Sequence, residues 1–430
     1  MTFVMKMKKR FYFVAAGYFR FFANRAFKRW NPRVIAITGS VGKTTMLHLV
    51  ETELGKRAHY SHDANSAFGI AFDLVGLRGI TGTKLRWLYL FPAVLIKSFY
   101  YKHTEEFYVV EIDGERPHET EFLASWLKPE VTLWVALGRS HAVQFENQVK
   151  DGTFENLDKA ITHEFAMLPQ YTQKRIYIDG DVEMMVKACK KVKLHHDITA
   201  EVVECYKSEC EHYEIFPDHT DFTVSGTKFH FYNPMPVDLA IQLVQLKKLC
   251  EYLNVKLNTD FSKMPLPPGR SSYFEGIKDL KLIDSSYNAH LISVESIIEM
   301  AKAMKVKNKW LVIGDIVDQG SIEGSEHEKL ADVLASLKPE QVVLIGRRTK
   351  KHTAPKLEKM GYKVFSTLEP REALEFIKEN TIGGETIVFK GSQYLEWIIE
   401  KLLKNKADAK KLPRREKAAI KRRKNRGLDS

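Results

Sequence analysis

Cysteine is scarce in this chain: Cys189, Cys205, Cys210 and Cys250 are the only four in 430 residues, and no two form a C-x-x-C pair. That speaks against a disulfide framework and fits a reduced, cytosolic setting in which the thiols are buried or incidental. Long apolar runs are also missing. Residues Phe11 to Phe19 and Trp87 to Ile96 are the two apolar stretches that stand out, and both fall well short of the roughly 20 residues a bilayer span needs. No small-residue cleavage site follows the first. Acidic residues are absent from 1–33, which carry nine Lys/Arg, and sparse in 404–430, where twelve Lys/Arg face only Asp408, Glu416 and Asp429. The net charge of +12 therefore belongs to the two ends, and the body from 34 to 403 is at −6. The basic tail has no interleaved aromatics, so no specific nucleic acid is expected as a partner.

What the chain does have is Val34-Ile-Ala-Ile-Thr-Gly-Ser-Val-Gly-Lys-Thr-Thr45. An apolar strand runs into Gly39, Ser40, Gly42, Lys43, Thr44 and Thr45, and a helical segment follows at once. Backbone N–H groups at such a helix start face phosphates, the lysine meets the β/γ oxygens and the first threonine hydroxyl reaches Mg²⁺. The glycine that the general pattern places six residues before the lysine is Ile37 here, leaving the shorter G-x-x-G-K-T-T form. ATP and Mg²⁺ are the expected cofactors. An ordinary strand–turn–helix corner would leave Gly-Lys-Thr at the helix start unexplained.

The aromatic, cationic stretch 1–33 reads equally as a helix on an anionic membrane surface, through residues 9–30, or as a helix packed on the body with its basic face in water. Trp87 to Ile96 reads first as a core or capping helix and second as a share in that membrane contact. Pro92 argues against one regular helix there. Continuous apolar strands at Phe107–Ile112, Val131–Leu137 and Arg175–Ile178 alternate with helical segments, which makes an α/β domain with a parallel sheet over 34–265. Residues 195–232 look like antiparallel strands. Met264-Pro-Leu-Pro-Pro-Gly-Arg270 marks a boundary. A second, Rossmann-like α/β domain is expected over 270–403, with strands at 280–283, 310–313, 341–345 and 386–389. The tail 404–430 is expected to be disordered or a loose helix, having too little apolar content to pack.

Ligands of open α/β sheets sit outside the carboxyl ends of strands, which draws attention to Glu111 and His141. Taken alone, Glu111 reads first as a strand-end acid in water and His141 as a satisfied loop histidine. Taken in order, however, the segments resemble the Mur ligases. The phosphate loop, Asn65 with Gly69, Val110-Glu-Ile-Asp-Gly, Gly138-Arg-Ser-His141, Ile283-Asp-Ser-Ser-Tyr-Asn-Ala289, Val312-Ile-Gly-Asp315 with His327, and Phe389-Lys-Gly-Ser392 are similar to that family's signatures in the same order.

The resemblance implies an enzyme in which ATP phosphorylates a peptide carboxylate and an amine then attacks the acyl phosphate. It implies Lys43, Glu111 and His141 as catalytic residues, with Thr44, Glu111 and His141 around the metal. The phosphate loop, Arg270, Asp284, Tyr287 and Asn288 would hold the nucleotide, while Asn65, Asp315, Lys390 and Ser392 would hold substrate. The preferred reaction is addition of D-alanyl-D-alanine to a muramyl tripeptide, in the cytoplasm or at the inner face of the membrane. A ligase acting on another carboxylate, such as a polyglutamate or a lipid-linked wall precursor, is the alternative. A nucleotide-binding scaffold whose catalysis has lapsed is a rival of another class.

Several residues depart from the family pattern. A lysine two residues before Glu164 is expected, but Thr162 stands there and Lys159 is the nearest lysine. Ala136 replaces an asparagine, His290-Leu291 replaces Asn-Pro, and Asp318 replaces a glutamate. Only 33 residues precede the phosphate loop, where such ligases carry a uridine-nucleotide domain, so the substrate's nucleotide end is expected to be held by other surfaces, by a partner, or to be absent.

Overall fold

A computed structural model describes residues 3–62, 64–79, 86–191, 200–317 and 319–428, with backbone only for 3–11. Asp318 and residues 195–199 of the expected antiparallel region lie outside them. Contacts divide the chain into two units, 1–138 with 147–206 and 245–257, and 139–146 with 207–244 and 258–430.

The first unit opens with α1 (Phe3–Trp30), β1 (Arg33–Thr38), α2 (Lys43–Leu54), β2 (Ala58–Tyr60), α3 (Ala67–Asp73), α4 (Arg86–Tyr100) and β3 (Phe107–Ile112). It continues through α5 (Glu119–Leu127), β4 (Val131–Trp134), the division-crossing α6 (Ala142–Lys150), α7 (Leu157–Gln170), β5 (Arg175–Asp179), α8 (Glu183–Lys191) and β6 (Glu201–Cys205). Its sheet has the order β2-β3-β1-β4-β5-β6 and is parallel throughout. β3 is buried along its whole length and β1 beyond Arg33, as strands covered by helices on both faces must be. Their register sets Ile37 beside Glu111 and Thr38 beside Ile112, so the glycine loop leaves the sheet next to an acid. β6 corrects one expectation: it joins the parallel sheet at an edge, where its exposed Glu201 and Val202 are tolerated.

Helix α1 is packed on the body. Ala16, Phe19, Ala23 and Ala26 recur at helical spacing and are buried against α3 and α4. Tyr12 donates to the buried Glu119, and Trp30 Nε1 donates to the Glu105 carbonyl at 2.6 Å. Helix α4 is continuous through Pro92, against the expectation of a break. Pro92 faces outward beside exposed Leu88, where a carbonyl left without its N–H partner can meet solvent.

The second unit begins with an antiparallel meander of β7 (Cys210–Ile215), β8 (Thr220–Val224) and β9 (Thr227–Phe231), as expected for that stretch. Helix α9 (Leu239–Leu253) again crosses the division. Then come β10 (Ser272–Glu275), β11 (Lys281–Ser285), α10 (Leu291–Ala303), β12 (Lys309–Gly314), α11 (Glu323–Ala335), β13 (Gln341–Ile345) and α12 (Ala354–Lys359). The series ends with β14 (Val364–Thr367), α13 (Pro370–Asn380), β15 (Thr386–Lys390), α14 (Leu395–Leu402) and α15 (Lys417–Asn425). The sheet order is β10-β11-β15-β12-β13-β14, with only β10 antiparallel. The meander leans on the end of α10, where the Lys305 N–H donates to the Ile215 carbonyl at 3.0 Å. The division is therefore interleaved, in place of a single boundary at 265–270.

The tail also differs from expectation. Leu412 and Leu428 are buried in the core under α14, and Arg415 and Arg423 both pair with Glu400, at 2.7 and 2.8 Å. A few apolar anchors and paired arginines hold a segment whose average composition reads as solvated.

Candidate active site

In the first unit the phosphate loop is fixed by two glycines with positive φ. Gly39 (φ +137) has no room for a side chain, since a Cβ would lie 2.7 Å from the Ala136 oxygen. Gly42 (φ +82) turns left-handed immediately before α2, a conformation that favours glycine. Ser40 ties the loop to the chain after β4: its N–H donates to the Ala136 carbonyl at 3.1 Å, and its hydroxyl lies 2.7 Å from both the carbonyl and the N–H of Gly138.

Buried Lys43 starts α2, and its ammonium bonds the Gly39 carbonyl at 2.6 Å and the Asp113 carboxylate at 2.7 Å. Thr44 Oγ1 donates to Glu111 Oε2 at 3.0 Å, while Glu111 is itself positioned by donation from its N–H to Ser61 Oγ at 2.9 Å. Thr45 follows in the first turn of α2. The Thr44–Glu111 pair offers only oxygens, a donor set suited to a small hard cation.

Asn65 bonds Asp113 twice: its carbonyl accepts from the Asp113 N–H at 3.1 Å and its amide donates to Oδ2 at 3.3 Å. Burial, followed by the Asp113 carboxylate, pushes Glu115 up to about 7. Glu164 is also pushed up to about 7 by burial, although it accepts from the N–H groups of His118 and Thr120 at the start of α5. Lys159 pairs with Glu155 on the exposed face of α7. His141 lies in the second unit, with positive φ and its ring 5.7 Å from that of His290. Thr44 and Glu111 thus meet within the first unit without it.

In the second unit the carboxyl ends of three adjacent parallel strands gather the expected residues. Ser285 of β11 and Ile313 of β12 are both in register with Lys390 of β15. Burial pushes Lys390 down to about 7, the nearby Arg270 guanidinium adds to that, and Asp284 opposes it. Asp284 is raised by burial despite accepting from the Ser286 N–H at 2.9 Å. Arg270 stacks over the Tyr287 ring at 5.1 Å, and its buried Nε has no hydrogen-bond partner among the described residues. A buried donor left open in this way costs about 1–3 kcal/mol, which an anionic ligand would relieve. Tyr287 and Asn288 are exposed and Ser392 is half-buried at the same strand ends. Asp315 is spent differently: it accepts from the N–H and hydroxyl of Thr349, at 2.8 and 2.9 Å, and so caps the turn after β13.

Two residues were not singled out by sequence reasoning. Asp113 sits in the quoted Glu-Ile-Asp-Gly stretch, and an acid just past a buried strand facing the loop lysine was the available signal. Arg414, in the basic tail, donates to the carbonyls of Ser286 (3.0 Å) and Tyr287 and meets Glu396 at 3.4 Å. Nothing in the local sequence distinguishes it from its basic neighbours.

Residues 269–393 match the family described as Mur ligase, glutamate ligase domain. Over 387 residues the chain is 22% identical to the UDP-N-acetylmuramoyl-tripeptide--D-alanyl-D-alanine ligase of Bacillus subtilis, covering 87% of this chain and 76% of that one. The enzyme of the same name from Rickettsia prowazekii is 24% identical, over 85% of this chain and 77% of its own. Residues 269–393 therefore form a Mur ligase domain, and the chain as a whole is similar to these ligases. Its fold is also that of the MurF ligase of Thermotoga maritima, solved in complex with ADP, with a TM-score of 0.69 at 16% identity over 90% of this chain and 83% of that one. The chain is an ATP-dependent ligase, and the strand ends that carry Asp284 and Lys390 lie inside the matched Mur ligase domain.

Proposed function

We propose that this chain is a Mur ligase that joins the carboxylate of a muramyl tripeptide to the amine of D-alanyl-D-alanine, using ATP and Mg²⁺. The observation that carries the reading is the cradle in which Lys43, Thr44, Glu111 and Asp113 are tied to one glycine loop by bonds of 2.6–3.0 Å. Similarity to relatives named for this reaction supports the choice of substrates.

In this reading the loop N–H groups and Lys43 bind and orient the phosphates, and Lys43 neutralises charge that grows as the γ-phosphoryl group moves to the carboxylate. Thr44 and Glu111 would hold Mg²⁺, and the ion would supply charge neutralisation to the phosphates; His141, in the second unit, stays a metal-ligand candidate from the resemblance. Asp113, oriented by Asn65, holds the Lys43 ammonium over the loop. Arg270 and Lys390 present cationic donors to anionic ligand groups, Asp284 fixes the loop before Tyr287 and Asn288, and Ser392 and Asp315 complete the substrate side. We place the chain in the cytoplasm, with residues 9–30 in peripheral contact with a membrane.

ADP release should depend on UDP-MurNAc-tripeptide and D-alanyl-D-alanine together, and Lys43→Ala should lower it by about a hundredfold or more. Release that ignores the amine in every pairing would sink the choice of substrates.

A further inference from the structure

Helix α4 is apolar on the side that packs and on the side that does not. Inward, Leu90, Ala93 and Val94 are buried. Outward, Leu88, Tyr89, Pro92, Ile96, Phe99 and Tyr100 form one stripe, with Leu88 74% exposed. A helix facing water on one side ordinarily carries polar residues there, and a helix apolar all round belongs in a core or in contact with lipid. Among the described residues of α4 only Arg86 and Lys97 are charged, and neither is acidic.

Helix α1 extends the same surface. It packs on α4, and Arg25 lies over the Phe99 ring at 4.1 Å. Its exposed positions Val14, Phe21, Arg25 and Lys28 follow one helical stripe, with Phe21 73% exposed. Of the strongly exposed large apolar side chains in the chain, those of α1 and α4 form one contiguous set on two packed helices, a patch of the kind that marks an interaction site.

We infer that the outward face of α4, flanked by Val14, Phe21 and the cations of α1, is a membrane-docking platform for an anionic bilayer surface. Charge complementarity selects the occupant. The described side chains of α1 include Arg20, Arg25, Lys28 and Arg29 and no acid, so the helix beside the apolar face carries one sign of charge, the composition of an interfacial rather than a spanning element. No helix among the described residues is long and apolar enough to cross a membrane. Tyr89 and Tyr100 suit the headgroup boundary, where an amphipathic ring has one wet and one apolar side. A protein partner or a second copy would be expected to meet this cationic border with acids, and the border itself holds none. The inference rests on the peripheral contact proposed above, moves its centre from α1 to α4, and does not depend on the ligase chemistry.

Flotation of the full chain with vesicles of equimolar phosphatidylglycerol and phosphatidylcholine tests it, with pure phosphatidylcholine alongside. Binding to the anionic vesicles is expected, weakening with salt. The double variant Leu88→Ser/Ile96→Ser should lower the partition coefficient by about tenfold or more, because each side chain gives up the burial of a large apolar group. Both positions are exposed, so thermal melting and ADP release should be unchanged. A failed platform is thereby distinguishable from a failed ligase. No binding to anionic vesicles, or binding that ignores the α4 variant, would overturn the inference. So would a dimer in solution that the same variant dissociates, since the face would then belong to a second copy.

Discussion

Thr44 and Glu111 make the most exacting statement at the scale of single residues. Their 3.0 Å bond puts a hydroxyl and a carboxylate at one point beside the phosphate loop. Glu111→Gln keeps the shape and removes the charge, so the Mg²⁺ concentration for half-maximal ADP release should rise about tenfold or more, as for loss of one anionic ligand; an unchanged Mg²⁺ dependence would remove Glu111 from the metal site. Lys390 carries a pH signature. Its amine is pushed down to about 7 in the folded chain, against about 10.4 when unfolded. Between those values the unfolded chain holds the extra proton, so this group makes stability rise with pH, by up to about 1.4 kcal/mol per unit. Lys390→Met should flatten the rise when denaturation midpoints are compared at neutral and alkaline pH. The loop glycines, Lys43 and Thr44 are legible in the sequence because their spacing alone defines a phosphate cradle. Asp113 is not, because its role depends on a bond to a residue 70 positions earlier.

The clearest lesson among the elements comes from the basic tail. Its mean composition argues for a solvated chain, yet Leu412 and Leu428 are buried and Arg414 reaches the 286–287 carbonyls. Composition averages over a segment, whereas packing is decided by a few positions. Leu412→Ala should destabilise the second unit by about 2–4 kcal/mol, read as a lower denaturation midpoint; a truly disordered tail would show no change. Arg414→Ala should raise KM or lower kcat with the fold intact, and Arg414→Lys should restore little, since one ammonium cannot reproduce a guanidinium bonded to two carbonyls and a carboxylate. The strands, by contrast, are readable almost residue for residue where they are buried on both faces, as in β1, β3 and β15. β10 and β14 have mixed burial and lie at sheet edges, where the apolar signal fades. The same fading explains why β6 could not be assigned to the parallel sheet.

Across the whole molecule, the sequence order of the signatures is matched by one parallel and one mostly parallel sheet whose carboxyl ends carry Glu111, Asp284 and Lys390. The first presents a lysine, a hydroxyl and two carboxylates at a glycine loop. The second presents a half-buried arginine and a buried lysine beside an aspartate. The interleaved division between units is invisible in the sequence because it depends on where β7 leans, not on any linker composition. The chain is expected to form an amide bond at the expense of ATP. The most direct test is the mass of the product formed from ATP, Mg²⁺, UDP-MurNAc-tripeptide and D-alanyl-D-alanine. The expected product is the dipeptide joined to the tripeptide carboxylate, one for each ADP released; ADP released with both peptides returned unchanged would contradict amide-bond formation by this chain.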